Sequence, residues 1–115
     1  MQKTFRLTQR ASFSYIYRKG NRACDKLFTL YYVKAYNLKL GVSVNKKVGN
    51  SVVRNKVKRR IKEAFREIIP LITPEYNFVV VARQGIDAAS YEDIKQGLIN
   101  VLQKEKLIAS KGVSL

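Results

Sequence analysis

Residues 51–69 read SVVRNKVKRRIKEAFREII, and their pattern predicts an amphipathic helix that packs on a sheet. Asn50 or Ser51 suits the N-cap, and Pro70 ends the helix because the residue before a proline avoids helical geometry. At about 100° per residue, apolar residues gather on one side. These are Val53, Val57, Ile61, Ala64 and Ile68, with Phe65 at the edge.

Polar residues occupy the rest of this predicted helix. Opposite the apolar stripe lie Asn55, Arg59, Lys62 and Arg66, and the stripe is flanked by Arg54, Lys58 and Arg60. Glu63 and Glu67 fall in a third sector, so we expect the basic ridge to be unbroken. From residue 46 to residue 62 there are eight basic residues and no acid. Neighbouring like charges weaken an isolated helix, a cost that phosphates lying between them would offset.

Working outward, the flanking segments predict a small mixed sheet with helices packed on it. A helix from Thr8 to about Arg18 is followed by a stop at Gly20 and a polar loop over 21–26. Residues 27–36 and 40–45 predict an antiparallel hairpin. Residues 76–82 (YNFVVVA) predict a strand inside the sheet, since they are apolar on both faces. The Ser90-x-x-Asp93 pattern opens a last helix.

The order helix, strand, strand, helix, strand, helix indicates an α/β (α+β) sandwich. We expect residues 1–115 to form one domain, with residues 1–7 and 110–115 flexible.

Charge is distributed unevenly along the chain. The net charge is +15, and residues 1–62 hold 17 Lys and Arg against one acid, Asp25. Such an excess favours a polyanionic partner, with nucleic acid ranking before an anionic membrane. One cysteine, Cys24, excludes an internal disulfide, and neither a signal peptide nor a membrane span is predicted. We expect a cytoplasmic protein that is monomeric when free.

Charge and helix geometry together predict a nucleic-acid surface, without deciding between DNA and RNA. Its candidate residues are Lys46, Lys47, Arg54, Asn55, Lys56, Lys58, Arg59, Arg60, Lys62 and Arg66. Aromatic residues suggest a second surface, because Phe13 and Tyr17 share a helix face and Tyr31 lies on the first predicted strand. Rings between a helix and a sheet can stack on unpaired bases. The alternative is that they belong to the core.

The segment KKVGNSVVRNKVKRRIKEAFR, residues 46–66, resembles the signature of the bacterial ribonuclease P protein subunit. Its core, Arg-Asn-Lys-Val-Lys-Arg, is similar to the family's "RNR" motif. The similarity extends over nearly the whole chain, including residues 7–20, 40–47 and 79–83. Ser51 departs from the family's usual alanine, and Tyr17 replaces a common phenylalanine.

The resemblance implies a role in removing the 5′ leader of precursor tRNA. In this family a large catalytic RNA with Mg²⁺ performs the hydrolysis, and the protein binds that RNA through the RNR helix. The positions matching that surface are Arg54, Asn55, Lys58, Arg59 and Lys62. Phe13, Tyr17 and Tyr31 match positions of a cleft that contacts the leader. The family fold also includes a left-handed crossover into the last strand.

The sequence itself predicts a binding protein without a catalytic or metal site. It contains no histidine, and its eight acidic residues are dispersed. This agrees with what the resemblance implies, which is a non-catalytic subunit of an endoribonuclease whose RNA uses Mg²⁺. Alternatives are a general structured-RNA-binding protein without nuclease association, a duplex DNA binder that uses residues 51–69, and a membrane-surface protein.

Overall fold

The computed structural model describes residues 7, 10–72 and 75–108. Three helices and a four-stranded mixed sheet confirm the α+β class. In chain order the elements are α1 (Arg10–Lys19), β1 (Asn21–Cys24), β2 (Phe28–Lys34), β3 (Lys39–Ser43), α2 (Ser51–Ile68), β4 (Tyr76–Ala82) and α3 (Tyr91–Lys104). Short 3-10 turns cover Ile69–Leu71 and Ile86–Ala88.

The sheet order is β1-β2-β4-β3, which makes the predicted antiparallel hairpin wrong. Strand β4 lies between β2 and β3, antiparallel to the first and parallel to the second. Val79 of β4 is registered with Tyr31 on one side and with Gly41 on the other. Helix α2 therefore forms a crossover between the parallel neighbours β3 and β4. The apolar run of β4 takes the interior position that its composition predicted.

The first strand is absent from the sequence prediction, which assigned residues 21–26 to a loop. Asn21–Cys24 pairs antiparallel with β2, with Ala23 opposite Leu30. Ala23 is the one buried residue of this edge strand. The observed order therefore has one more strand than the predicted order.

The helices divide between the two faces of the sheet. Helices α2 and α3 cover one face and enclose the larger core, which includes Phe28, Phe65 and Phe78. Helix α1 covers part of the other face, where Ile16 packs with Val79 in a smaller cluster. The alternation of side chains along each strand separates these two clusters. We call the face of the sheet that α2 and α3 cover the thick side, and the face that α1 partly covers the thin side.

Side-chain caps set the starts of the two longer helices, as predicted. Asn50 caps α2 by accepting a hydrogen bond from the backbone N–H of Val53 at 3.0 Å. Ser90 caps α3 by accepting one from the N–H of Asp93 at 3.1 Å. Helix α2 ends at Ile68, one residue before the predicted end, and Pro70 lies in the following 3-10 turn. The position of the basic helix is therefore fixed at both ends.

Two tyrosine–glutamate pairs join α3 to the rest of the fold. The Tyr91 hydroxyl donates a hydrogen bond to Glu67 on α2, and Lys95 lies 3.6 Å from the same carboxylate. The hydrogen bond from Tyr91, followed by the charge of Lys95, lowers the pKa of Glu67 despite some desolvation. On the sheet, the Tyr32 hydroxyl donates to Glu105 just after α3. The first pair therefore joins α3 to α2, and the second joins the end of α3 to the sheet.

Leu7 lies within the segment 1–7 for which we expected flexibility. Its side chain is buried against the thin side of the sheet, and its backbone N–H donates to the Leu40 carbonyl at 2.8 Å. This residue is therefore held by the fold. Residues 1–6 and 110–115, together with the predicted cap Thr8, lie outside the described residues.

Candidate nucleic-acid interface

The buried stripe of α2 sets the direction in which its basic residues point. Val57 and Ile61 are buried against the sheet side, as the periodicity predicted. Arg59 lies between them in sequence and is exposed. The exposed candidates are Lys46, Lys47, Asn55, Lys56, Arg59 and Arg66, and the partly buried ones are Arg54, Lys58, Arg60 and Lys62. The helix thus presents one continuous polar surface.

Two arginines of this surface already have protein partners. Arg60 donates to the backbone carbonyl of Ala89 at 3.2 Å, which ties α2 to the segment before α3. Arg66 lies 3.7 Å from Glu63, so the expectation of a basic ridge unbroken by acids is wrong at this end. The pair is exposed and of the i, i+3 kind, so its contribution is small. Near the C-terminal end of the helix, the charge of Arg66 is therefore partly offset by Glu63.

Arg54 is a candidate with an unsatisfied hydrogen-bond donor. Its Nε is buried and has no hydrogen-bond partner among the described residues. A buried donor without a partner is unfavourable, and a phosphate oxygen is one acceptor that would satisfy it. The side chain is partly exposed, so an anion at the surface can approach the guanidinium.

The loop before α2 adds two exposed lysines at the positive end of the helix dipole. The Asn45 side chain accepts from the N–H of Lys47 at 2.9 Å, and its carbonyl accepts from Val48 at 3.1 Å. The side chain of Val48 is buried in the larger core, which anchors the loop to the fold. Lys46 and Lys47 therefore stand on an ordered turn beside the helix N-terminus, a favourable arrangement for phosphate.

On the opposite face of the sheet, the three residues of the expected aromatic cleft (Phe13, Tyr17 and Tyr31) lie together. The ring centroids of Phe13 and Tyr17 lie 6.4 Å apart, and those of Tyr17 and Tyr31 lie 5.0 Å apart in an edge-on arrangement. Tyr17 is 41% exposed, whereas the other two are half-buried. Phe13 and Tyr31 therefore agree in part with the core interpretation, whereas the exposed ring of Tyr17 agrees with the stacking interpretation.

Gly41 on β3 leaves the space that the ring of Phe13 occupies. A Cβ at this position would lie 2.5 Å from the ring of Phe13, closer than atoms can approach without movement. The absence of a side chain on β3 therefore lets Phe13 lie directly on the sheet. Sequence reasoning did not identify this role, since a glycine inside a strand has several explanations.

Further residues lie beside the three rings. The register aligns Cys24, Thr29, Val81 and Ser43 across all four strands, on the face that carries Tyr31. Arg22 is registered with Tyr31 and is exposed, as are Arg18 and Lys19 at the end of α1. A single-stranded polyanion in the cleft would therefore meet both rings and positive charge.

Among the described residues, no group of three or more His, Cys, Asp or Glu side chains lies in an arrangement that could hold a metal ion. Among the same residues, no helix has both the length and the apolar character needed to cross a membrane.

Comparison with known proteins gives one consistent result. The sequence profile of the family described as Ribonuclease P matches residues 1–106. A "Ribonuclease P protein component" from Brevibacillus brevis is 37% identical, with 94% of this chain and 88% of that protein covered. One from Listeria innocua is 32% identical, with 96% of each covered. A solved Staphylococcus aureus RNase P protein, a mutant described as defective in mRNA degradation activity, superposes with a TM-score of 0.84 at 34% identity and 92% coverage of both chains.

Proposed function

The chain belongs to the ribonuclease P protein component family, and on that premise we propose that it assists removal of the 5′ leader from precursor tRNA. In this proposal it binds the catalytic RNA with one face of the fold and the leader with the other. It acts in the cytoplasm and is monomeric when free. The whole chain serves as one RNA-binding domain.

The first part of the proposal assigns the catalytic RNA to α2 and the preceding loop. This surface carries the exposed Lys46, Lys47, Asn55 and Arg59 together with the unsatisfied Nε of Arg54. Arginine forks and lysine charges suit the phosphates of a folded RNA. The residues assigned to this contact are Lys46, Lys47, Arg54, Asn55, Lys56, Lys58, Arg59, Arg60, Lys62 and Arg66. Of these, Arg60 also donates to Ala89 and Arg66 also pairs with Glu63.

The second part assigns the leader to Phe13, Tyr17 and Tyr31. The observation that carries it is the open edge of Tyr17 above two half-buried rings on the thin side of the sheet. A leader is single-stranded, and stacking on such rings accepts any base. Since α1 and α2 lie on opposite faces, the protein can contact both RNAs at once.

The protein's chemical role in this proposal is positioning and charge neutralisation. Mg²⁺ is assigned to the RNA subunit, which carries out the hydrolysis of the phosphodiester bond. The protein's lysines and arginines reduce the repulsion between two polyanions and so lower the Mg²⁺ concentration needed for productive binding. Holding the leader in register with the cleavage site adds the benefit of orientation.

The proposal is tested by comparing the affinity of the reconstituted holoenzyme for precursor tRNA and for mature tRNA. We expect addition of the protein to tighten binding of the precursor and to leave mature tRNA nearly unchanged. Equal tightening of both would contradict the leader assignment and favour a general RNA-binding protein. If the free protein bound an unrelated duplex DNA as tightly as it binds the catalytic RNA, the RNA assignment itself would be contradicted.

A further inference from the structure

A second aromatic groove lies beside the first half of α1, at the connection between β2 and β3. Two adjoining cavities, of about 260 and 190 Å³, share the lining residues Ser12, Ala35 and Asn77. Tyr15 of α1 lines the larger cavity and Tyr36 lines the smaller one. Neither tyrosine belongs to the aromatic cleft of Phe13, Tyr17 and Tyr31. The groove is therefore a separate feature that the proposed function does not use.

Both tyrosines are open to solvent. Tyr36 is 98% exposed, and Tyr15 is 48% exposed. Neither ring is in contact with another aromatic ring of the described residues, in contrast to Tyr32 and Tyr76. An aromatic ring left open at a loop tip has both faces available for stacking on a base.

Asn77 supplies a polar group at the floor of the groove. Its Oδ1 is buried and has no hydrogen-bond partner among the described residues. Asn77 lies on β4 in register with Val33 and Lys39, so its position is set by strands on both sides. A buried acceptor without a donor is costly, and because Asn77 lines both cavities, rotation of its side chain toward the N–H groups of a nucleobase edge would satisfy it.

The charge around the groove suits a phosphate backbone. Lys34 lines the larger cavity and Lys39 lines the smaller one. One acid is near: Glu75 lines a neighbouring hollow with Lys34 and Tyr36, outside the two cavities that contain Asn77. The described residues that line the two cavities are lysines and uncharged residues. Positive charge beside open rings is the combination that binds single-stranded nucleic acid.

We propose that this groove is a second nucleotide-binding site, which takes one nucleotide of single-stranded RNA. The base stacks on Tyr36 with an N–H edge directed to Asn77 Oδ1, and Lys34 and Lys39 neutralise the adjoining phosphates. This inference goes beyond the proposed function, which needs only the cleft and α2. It would extend the contact with RNA around the N-terminal half of α1.

The test measures binding of a fluorescent ten-nucleotide single-stranded RNA to the full chain, with Tyr36→Leu and Tyr36→Phe as a matched pair. We expect Tyr36→Leu to weaken binding about five-fold or more, since one stacked base contributes about 1–3 kcal/mol. The Tyr36→Phe variant should stay within about two-fold of wild type because it keeps the ring. An RNA carrying 4-thiouridine should also cross-link to residues 33–39. Unchanged affinity of Tyr36→Leu, without that cross-link, would overturn the proposal.

The same variants separate the possible sources of the nucleotide and the two proposals. If the leader supplies it, Tyr36→Leu should weaken holoenzyme binding of precursors with long leaders more than those with short leaders. If the catalytic RNA supplies it, the loss should appear with that RNA alone. The leader assignment instead depends on Tyr17. If Tyr17→Ala leaves holoenzyme binding of precursor tRNA unchanged while Tyr36→Leu still weakens it, only the leader assignment is contradicted. Failure of wild type to bind the oligonucleotide would overturn the groove proposal.

Discussion

The ring of Tyr17 on α1 meets the ring of Tyr31 on β2 edge-on, with 5.0 Å between their centroids. This contact joins the helix to the thin side of the sheet and leaves 41% of Tyr17 accessible. Edge-on pairs of this kind are favourable beyond their buried area. The pair therefore fixes the direction of an exposed ring, which is what a stacking platform requires.

Removal of the Tyr17 ring should weaken leader binding specifically. We expect Tyr17→Ala to raise the Kd of the holoenzyme for precursor tRNA by about five-fold or more, from the loss of about 1–3 kcal/mol of stacking. Tyr17→Phe, which keeps the ring, should stay near wild type. The measurement is a titration with precursor and with mature tRNA, and an equal loss for both RNAs would count against a leader contact.

Replacement of Arg59 should weaken binding of the catalytic RNA without affecting the fold. Arg59 is exposed on α2, and loss of one charged contact of about 1.5 kcal/mol corresponds to about ten-fold in Kd. The slope of log K against log salt should also become shallower by about one. Lys104→Ala, at the exposed end of α3, is the matched control and should have little effect. Wild-type affinity in Arg59→Ala would show that this face of α2 does not contact the RNA.

A charge at Val57 should unfold the chain. Val57 is only 1% exposed, within the core between α2 and the sheet. A carboxylate buried there without a partner costs several kcal/mol, comparable to the whole stability of a small domain. Far-UV circular dichroism of Val57→Asp should show loss of structure, whereas the neighbouring exposed Lys56→Asp should remain folded. A folded Val57→Asp would mean that the helix is rotated from the position described above.

Alkaline pH should destabilise the fold through Tyr32 and Tyr91. Burial first, and then the hydrogen bonds to Glu105 and Glu67, raises the pKa of each tyrosine to about 12 from the ordinary value of 10.0. Between pH 10 and 12 the unfolded chain therefore loses these protons while the folded chain keeps them, so stability falls as pH rises. Below pH 10 both states are protonated and this contribution is fully present.

The measurement for this prediction is chemical unfolding at pH 9 and pH 11. Tyr32→Phe cannot ionise, so its stability should fall less between these two values than that of wild type. Tyr36→Phe is the control, because Tyr36 is exposed and should leave the slope unchanged. A wild-type slope in Tyr32→Phe would show that Tyr32 does not contribute to the alkaline loss.

The parts of the fold predicted from sequence are those set by local patterns. The apolar stripe through Val57 and Ile61 gave the orientation of α2, and the side chains of Asn50 and Ser90 gave the starts of two helices. The hydrophobic run 78–82 correctly placed β4 in the interior of the sheet. In each case the deciding interaction involves residues close in sequence, or simple burial.

The errors arise where distant residues decide the structure. Strands β2 and β3 are separated by only four residues, which favours a hairpin, yet β4 inserts between them because it can bury both faces. Strand β1 has a single buried side chain, Ala23, so it shows little alternation and is defined by its pairing with β2. The hydrogen bond of Arg60 to Ala89 spans 29 residues and leaves no local signal.

For the candidate site, sequence supplied the residue types and the structure supplied their arrangement. Charge density and helix periodicity predicted a nucleic-acid surface that includes residues 46–62. The aromatic pattern suggested a second surface, and the resemblance assigned Phe13, Tyr17 and Tyr31 to the leader. The role of Gly41 beneath Phe13 and the unpartnered Oδ1 of Asn77 depend on contacts between α1, β3 and β4. No pattern within one segment could reveal them.

The decisive measurement is cleavage of a precursor tRNA by bacterial ribonuclease P RNA at low Mg²⁺, with and without this protein. We expect the RNA alone to be nearly inactive under these conditions and the protein to restore cleavage at the 5′ end of the mature tRNA. Binding of both RNAs without any increase in cleavage would contradict a role in leader removal and leave a general RNA-binding protein.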